Sequence, residues 1–278
     1  MRTAIISLVL IMGLIACKQK KMELTQKEKA VAFIKSFETG SSDVLNFIDE
    51  NIKSHNYTLP NGKNTYEMYF TNEPSGCKIE FIRIFEDKEF VIMHNKYTNL
   101  EGYPGPIITF DIVRFENGKI AEHWDNIALE INESINGNSQ TDGAVIIKDI
   151  SLTEKNKAVV SEYMQVMLSG EFDKIAKHIN GENYIQHNSI IDNGVSGVLN
   201  TIEKLKTEGI DVVFNKVHRI FAEGNFVLAI VEGSMGDKPT SFYDLFRIEN
   251  GQIVEHWDIL EEIQASEDWQ NTNGKFHF

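Results

Sequence analysis

The chain has 278 residues, a formal net charge of −14 and 42% hydrophobic residues. That hydrophobic content excludes a disordered polyanion, and the length suits two domains of ordinary size. The excess of acid argues against nucleic acid and anionic lipid surfaces as partners, because both would repel the chain.

The N-terminus carries one positive charge, Arg2, then an apolar run from Ala4 to Ile15, and ends in small Ala16 before Cys17. This is the pattern of a secretory signal peptide over residues 1–16. The run is about a dozen residues, short of the roughly 20 that span a bilayer. Leu14-Ile15-Ala16-Cys17 resembles a bacterial lipobox. That resemblance implies a lipidated Cys17 as the mature N-terminus, a tether over 17–24, and a membrane-anchored lipoprotein of the cell envelope. An ordinary signal peptide cut near Ala16 would leave Cys17 incidental. With Cys17 acylated, Cys77 has no disulfide partner and reads as a small buried hydrophobe.

The remainder is one unit used twice. Thr39-Gly40 aligns with Ser169-Gly170, Ser54-His55-Asn56 with Gln186-His187-Asn188, and Arg83-Ile84-Phe85 with Arg219-Ile220-Phe221. Segment Asp111–Asp125 aligns with Asp244–Asp258. A period of about 133 residues is a domain duplication rather than a solenoid. The units cover 25–131 and 150–264; a linker over 132–149 separates them, and a polar, loosely ordered tail is expected over 265–278.

Each unit reads helices first and antiparallel strands afterwards, an α+β pattern. Thr25-x-x-Glu28 and Ser151-x-x-Glu154 are capping-box signals that open helices. Second, shorter helices are expected at Asp43–Ile48 and Phe172–Ile179, and third ones at the Asn64-Thr65 and Asn200-Thr201 segments. β-rich runs follow at Ile79–Phe85, Phe90–Tyr97 and Ile107–Phe115, then at Val212–Phe221, Phe226–Val231 and Ser241–Ile248.

The units close with "RFENGKIAEHWD" and "RIENGQIVEHWD". Asn117-Gly118 and Asn250-Gly251 signal two-residue type I′ hairpins. Uninterrupted pairing from that turn sets Asp111 opposite Trp124 and Val113 opposite Glu122. Asp111, Glu122 and Trp124 would then share the apolar face, as would Asp244, Glu255 and Trp257. His123 and His256 would face away in structural roles. A three-residue bulged turn is the alternative and would set Asp111 beside His123.

The hairpin strings "FDIVRFENGKIAEHWD" and "YDLFRIENGQIVEHWD", with "YIQHN" at Tyr184–Asn188, resemble SnoaL-like polyketide cyclases of the nuclear transport factor 2-like superfamily. The resemblance implies two tandem cone-shaped domains, each a curved antiparallel sheet closed by helices around an apolar pocket. It also implies an aldol-type ring closure without metal or organic cofactor. Its aspartate falls on Asp111 and Asp244, its strand histidine on His94, and its "QHN" histidine on His187 and His55. Ile230 replaces His94 in the second copy. Tyr97 lies near Asp111 in the first. Trp124, Glu122, Trp257 and Glu255 are the ligand-binding candidates on the hairpin face.

No metal is expected, because His187, His218 and His256 are scattered and no HxH or HExxH spacing occurs. Three functions fit these features. One is a lipoprotein that binds a small apolar or carbonyl-containing molecule. Another is a cofactor-independent cyclase, lyase or isomerase with Asp111 as general base and His94 or His55 as donor to the oxyanion. The last is a protein-interaction module in which the two domains pack as a pseudo-dimer.

Overall fold

The computed structural model describes residues 23–278, so the signal segment, Cys17 and the tether as far as Met22 lie outside the described residues. Helix α1 (Gln26–Thr39) starts on a capping box: the Thr25 side chain accepts from the Glu28 amide, and the Glu28 carboxylate accepts from the Thr25 amide. It stops at Gly40, where φ is +69° and a Cβ would meet the Glu73 carbonyl oxygen at 2.0 Å. Its counterpart α3 (Thr153–Ser169) begins differently. A 3₁₀ turn over Ile150–Leu152 precedes it and Leu152 is the N-cap, so the capping box expected at Ser151 does not form. Thr153 instead donates to the Ile150 carbonyl and accepts from the Gly224 amide, both at 2.8 Å.

The short helices expected next are 3₁₀ turns, Ser42–Phe47 and Phe172–Lys177. Strand β1 (Ile48–Ser54) follows the first, and the two-residue strand β6 (Ile185–Gln186) stands at the same place in the second repeat. His55 and His187 therefore follow strands, not helices. "IDENIKS" lacks clean alternation, which hides β1 from sequence reading. Helix α2 (Lys63–Tyr69) and the longer α4 (Gly194–Thr207) complete the helical layers.

Four long strands then run antiparallel in each repeat. They are β2 (Lys78–Asp87), β3 (Phe90–Thr98), β4 (Ile107–Glu116) and β5 (Lys119–Leu129), answered by β7 (Val212–Glu223), β8 (Phe226–Met235), β9 (Lys238–Glu249) and β10 (Gln252–Glu262). The sheet orders are β1-β5-β4-β3-β2 and β6-β10-β9-β8-β7, with β1 and β6 parallel to their neighbours. The fold is α+β, two five-stranded sheets each with helices on one face.

Strand alternation divides the apolar residues among three cores. Met93 and Val113 point towards α1 and α2, joining Phe33 and Tyr66. A matching core lies under α3 and α4 around Tyr163, Val231 and Phe246. The intervening positions, Ile92, Phe110, Ile112 and Trp124, meet Leu228, Tyr243, Leu245 and Trp257 in a core between the two sheets. The order of layers is helix, sheet, sheet, helix. Trp124 is 0% exposed and Trp257 1%. Burying side chains of that size is worth about 2–3 kcal/mol each.

The closing hairpin departs from its expected register, and the departure decides which residues face which core. The turn is the two-residue type I′ turn, with positive φ at Asn117, Gly118, Asn250 and Gly251. Glu116 pairs with Lys119 and Phe115 with Ile120, as expected. Ala121 is then an extra residue on β5, and beyond it Arg114 faces Glu122, Val113 faces His123, Ile112 faces Trp124 and Asp111 faces Asp125. Val254 is the extra residue on β10, so Asp244 faces Asp258. A one-residue bulge flips every later side chain to the other face. The expectation that His123 and His256 face away, with Glu122 and Trp124 inward, is corrected by that bulge.

The linker and tail are docked rather than loose, because paired asparagines give them a hydrogen-bonding programme that hydropathy does not register. Asn136 Nδ2 donates to the Asn188 and Ile191 carbonyls at 2.7 and 2.8 Å, while Asn271 Nδ2 donates to the Asn56 and Leu59 carbonyls at 2.8 and 3.0 Å. Asn138 donates to the Gln186 carbonyl and Asn193, and Asn273 to the Ser54 carbonyl and Asn61. Each strap follows one repeat and clasps the other.

The first strap passes so close to the second repeat that Gly143, at φ +88°, has no room for a side chain. A Cβ there would lie 2.1 Å from Glu255 Oε1 and 2.9 Å from the Trp257 ring. Gly143→Ala is therefore expected to lower unfolding stability by about 2–4 kcal/mol, read by urea denaturation; an unchanged midpoint would show that the strap does not hold this position in solution.

Candidate functional site

The helical face of the first sheet encloses a cavity of about 420 Å³. Its walls come from Phe37 on α1, Tyr69 on α2, Ile107 and Ile127 on the strands, and the β3–β4 loop from Leu100 to Tyr103. Its floor carries Tyr97, Thr109, Asp111, His123 and Asp125. The bulge supplies the last two, since it turns His123 and Asp125 onto the face already occupied by Asp111.

Asp111 is fully engaged. Its Oδ2 accepts from Asn95 Nδ2 at 2.8 Å, Tyr97 Oη at 3.1 Å and Thr109 Oγ1 at 2.6 Å. Its Oδ1 is 3.1 Å from His123 Nε2, and since a carboxylate only accepts, Nε2 carries the proton in this pairing. The Tyr97 hydroxyl is held well above its ordinary pKa by burial, with the Asp111 charge adding to the effect, so it remains a donor. Asp125 differs. Its Oδ2 accepts from Asn56 Nδ2 at 2.6 Å, but its Oδ1 has no hydrogen-bond donor among the described residues. Lys275, from the second strap, bonds Glu261 at 2.5 Å and stands 3.8 Å from that free oxygen.

The second repeat keeps the triad and loses the space. Its cavity is about 100 Å³ and is lined by Asp244, His256 and Asp258 with a mostly apolar surround. Val231, Phe242 and Gly233 take the register positions of Asn95, Thr109 and Tyr97, so among the described residues Asp244 keeps only His256 Nε2, at 3.1 Å, and its Oδ2 has no partner. His256 Nδ1 meets Gln186 Oε1 at 3.0 Å. Burial alone would depress His256, but the bond to Asp244 and the Asp258 and Asp244 charges hold it above its ordinary value. Burial raises Asp258, both of whose oxygens accept from Asn188 Nδ2. In the first repeat Ser54 stands where Gln186 would be, and His123 Nδ1 has no partner among the described residues.

The structure separates the residues singled out from sequence. Asp111 and Tyr97 line the first cavity and Asp244 the second. His94, His55 and His187 line neither; they lie on the inter-sheet side. His94 stacks on Phe110 at 4.6 Å and accepts from Arg83 Nη1 at 3.1 Å, and burial beside the Arg83 charge keeps it neutral, well below its ordinary pKa. His55 bridges the Gly274 carbonyl and Glu122 while stacking on Trp124 at 4.3 Å. His187 bridges the Ser139 carbonyl and Glu255 while stacking on Trp257 at 4.7 Å. Glu122 and Glu255 also pair with Arg114 and Arg247. These four hairpin candidates, Glu122, Trp124, Glu255 and Trp257, thus join the sheets and do not reach the cavities. The bulge that puts His123 inward necessarily puts its neighbours outward.

Sequence reading missed His123, Asp125, Asn95 and Asn56. The available signal was the last aspartate of each "EHWD", which shares the histidine's parity along the strand. One nitrogen of His123 and one oxygen of each of Asp111 and Asp125 lie within 4.8 Å of one another, as do the same groups of Asp244, His256 and Asp258. Metal-ligand spacing in sequence does not reveal such a set, because its members come from two strands. In the first repeat Asp111 already holds four hydrogen bonds, while Asp125 Oδ1 is open. Cys77 also borders the first cavity; burial pushes its thiol up to about 11, away from thiolate chemistry.

No family model and no curated protein matches the chain. Among solved structures it is similar to an NTF2-like protein of unknown function from Cytophaga hutchinsonii, with 23% identity over 43% of this chain and 95% of that one, at a TM-score of 0.33. It is similar also to a SnoaL-like polyketide cyclase from Agrobacterium tumefaciens, with 14% identity over 38% of this chain and 91% of that one, at a TM-score of 0.32. An NTF2-like protein from Burkholderia xenovorans gives 12% identity over 39% of this chain and 91% of that one, at a TM-score of 0.32.

Burial acts to raise the Glu122 and Glu255 pKa values, but the histidine and arginine partners outweigh it and hold both below the ordinary value of 4.5. A carboxylate with a depressed folded-state pKa contributes stability that is complete above the unfolded value and is lost as pH falls through the folded one. Glu122→Gln is accordingly expected to cost about 1–3 kcal/mol at pH 7, with the difference from wild type shrinking towards zero as denaturation is repeated below pH 4.5. A difference independent of pH would rule out the ion pairs as its source.

Proposed function

We propose that this chain is an exported, lipid-anchored binding protein of the cell envelope. The first-repeat cavity holds one small, largely apolar molecule by its polar head, and the second repeat packs against the first as a structural partner in a pseudo-dimer. The observation that carries this reading is an internal comparison. The same unit occurs twice, and the copy with polar residues at Asn95, Tyr97 and Thr109 encloses about 420 Å³, whereas the copy with Val231, Gly233 and Phe242 encloses about 100 Å³. Volumes of a few hundred Å³ with apolar walls and a few convergent polar groups are those of small-molecule sites. The signal and lipobox residues at 1–17 support the envelope location.

The cavity itself suggests the test. Thr109→Phe places in the first repeat the side chain that fills the second. Native mass spectrometry of the protein purified from membranes is expected to show wild type carrying one adduct per chain, and the variant, with an unchanged circular dichroism spectrum, carrying none. The same spectra read the N-terminus, expected as acylated Cys17. Wild type that is empty and also fails to take up any apolar probe would refute the binding reading.

Cofactor-independent proton transfer is the second reading, favoured by the one open carboxylate oxygen at the cavity floor. Asp111 is occupied by four hydrogen bonds, one of them from His123, so its part is to orient His123, and the acceptor is Asp125, whose Oδ1 is open. On this reading wild type incubated with small ketones in deuterated water accelerates exchange at the carbon next to the carbonyl, and Asp125→Asn abolishes the acceleration. No acceleration by wild type disposes of the enzymatic reading and leaves binding untouched.

A further inference from the structure

The occupant's charge can be read from what surrounds the cavity. Three carboxylates line it, Glu101, Asp111 and Asp125, and no lysine or arginine does. At the mouth the Tyr103 hydroxyl is pushed up, first by burial and then by the charges of Asp125 and Glu261. Lys275 is the near cation: its ammonium bonds Glu261 at 2.5 Å and pairs with Asp125 Oδ1 only at 3.8 Å, beyond hydrogen-bond reach, so that oxygen still lacks a donor among the described residues. Asp125 is 5% exposed, and its Oδ1 is a buried acceptor without a donor. Such an atom costs about 1–3 kcal/mol unless something supplies a proton to it.

A carbonyl head at the floor, as the family resemblance implies, would find the donors there spent: Asn95, Tyr97 and Thr109 all point at Asp111, and Asn56 at Asp125. A carboxylate or phosphate would meet three like charges. A bare metal ion would need oxygens from Asp111 that four hydrogen bonds already occupy, and it would leave most of the 420 Å³ unfilled. An ammonium group on an apolar body fits what remains. It donates to Asp125 Oδ1, and its apolar body lies among the lining side chains of Phe37, Tyr69, Tyr97 and Tyr103.

From this geometry we infer that the first-repeat cavity selects a small apolar amine, bound as its cation with the ammonium on Asp125. The inference rests on the binding reading above and names its ligand class. The second repeat is not a second copy of this site: both oxygens of Asp258 accept from Asn188, and although Asp244 Oδ2 lacks a donor, the space of about 100 Å³ is too small for the same occupant, so one cation binds per chain.

The test uses three probes of similar shape and different charge, titrated calorimetrically at pH 7 into the mature chain: 2-phenylethylamine, 2-phenylethanol and 3-phenylpropanoate. The amine is expected to bind one per chain at least tenfold tighter than the alcohol, with no heat from the carboxylate. Asp125→Asn is expected to weaken the amine at least tenfold and the alcohol less than threefold. Glu101→Gln, at the exposed mouth where folding is not at stake, should weaken the amine two- to fivefold. An alcohol that binds as tightly as the amine, or a carboxylate that binds at all, overturns the charge inference while the binding reading stands. Silence from all three probes overturns both. Displacement of the amine by micromolar zinc or magnesium chloride overturns the organic cation in favour of a metal ion.

Discussion

One inserted residue per repeat, Ala121 in the first and Val254 in the second, organises the rest of the molecule. In a strand the face alternates at every residue, so adding one position past the hairpin exchanges inside for outside from there onward. His123 and Asp125 turn inward to meet Asp111, and Glu122 and Trp124 turn outward to meet the other sheet. The arginine two residues before each turn's glutamate secures the offset: Arg114 stands directly across from Glu122, and Arg247 across from Glu255. The same displacement thus builds the cavity floor and the inter-repeat seam.

That seam is more than an apolar contact. Each glutamate turned outward is bound by a histidine, and each histidine ring lies flat on a tryptophan. The histidine's other nitrogen reaches a carbonyl of the strap that belongs to the opposite repeat, Gly274 for His55 and Ser139 for His187. The straps are equivalent down to their asparagine pairs, and each is exchanged. Neither repeat therefore satisfies its own polar groups alone, and ordering one strap orders the histidine, glutamate and tryptophan of the other repeat. Such buried networks are costly when half satisfied, which favours a single arrangement of the two sheets.

Within that symmetric frame the cavities have diverged. Substituting Val231, Gly233 and Phe242 for Asn95, Tyr97 and Thr109 removes three donors from the aspartate and puts the Phe242 ring in the wall of the smaller cavity. The triad survives in both copies because it is set by the hairpin. The larger cavity survives in one copy because it is set by β3, β4 and the loop between them. In the second repeat β8 and β9 join through a tight turn at Gly236 and Asp237, whereas the first keeps the longer loop that brings Glu101 and Tyr103 to the cavity mouth.

The sequence by itself determined the α+β order of helices and strands, the Asn-Gly turns and the capping box at Thr25, because each depends on residues a few positions apart. Tertiary structure decided what depends on pairing across strands and between repeats. Alternation counted from the turn carries no mark of a bulge, so the face of every residue after Ala121 was invisible. Polar linkers read as loose until the carbonyls they clasp are in place, so the straps were too. The histidines marked by the resemblance hold the seam, and the open acceptor of the cavity is Asp125, the last residue of a string whose meaning changes with a shift of one. Local patterns set which elements form; long-range register set what those elements present to one another.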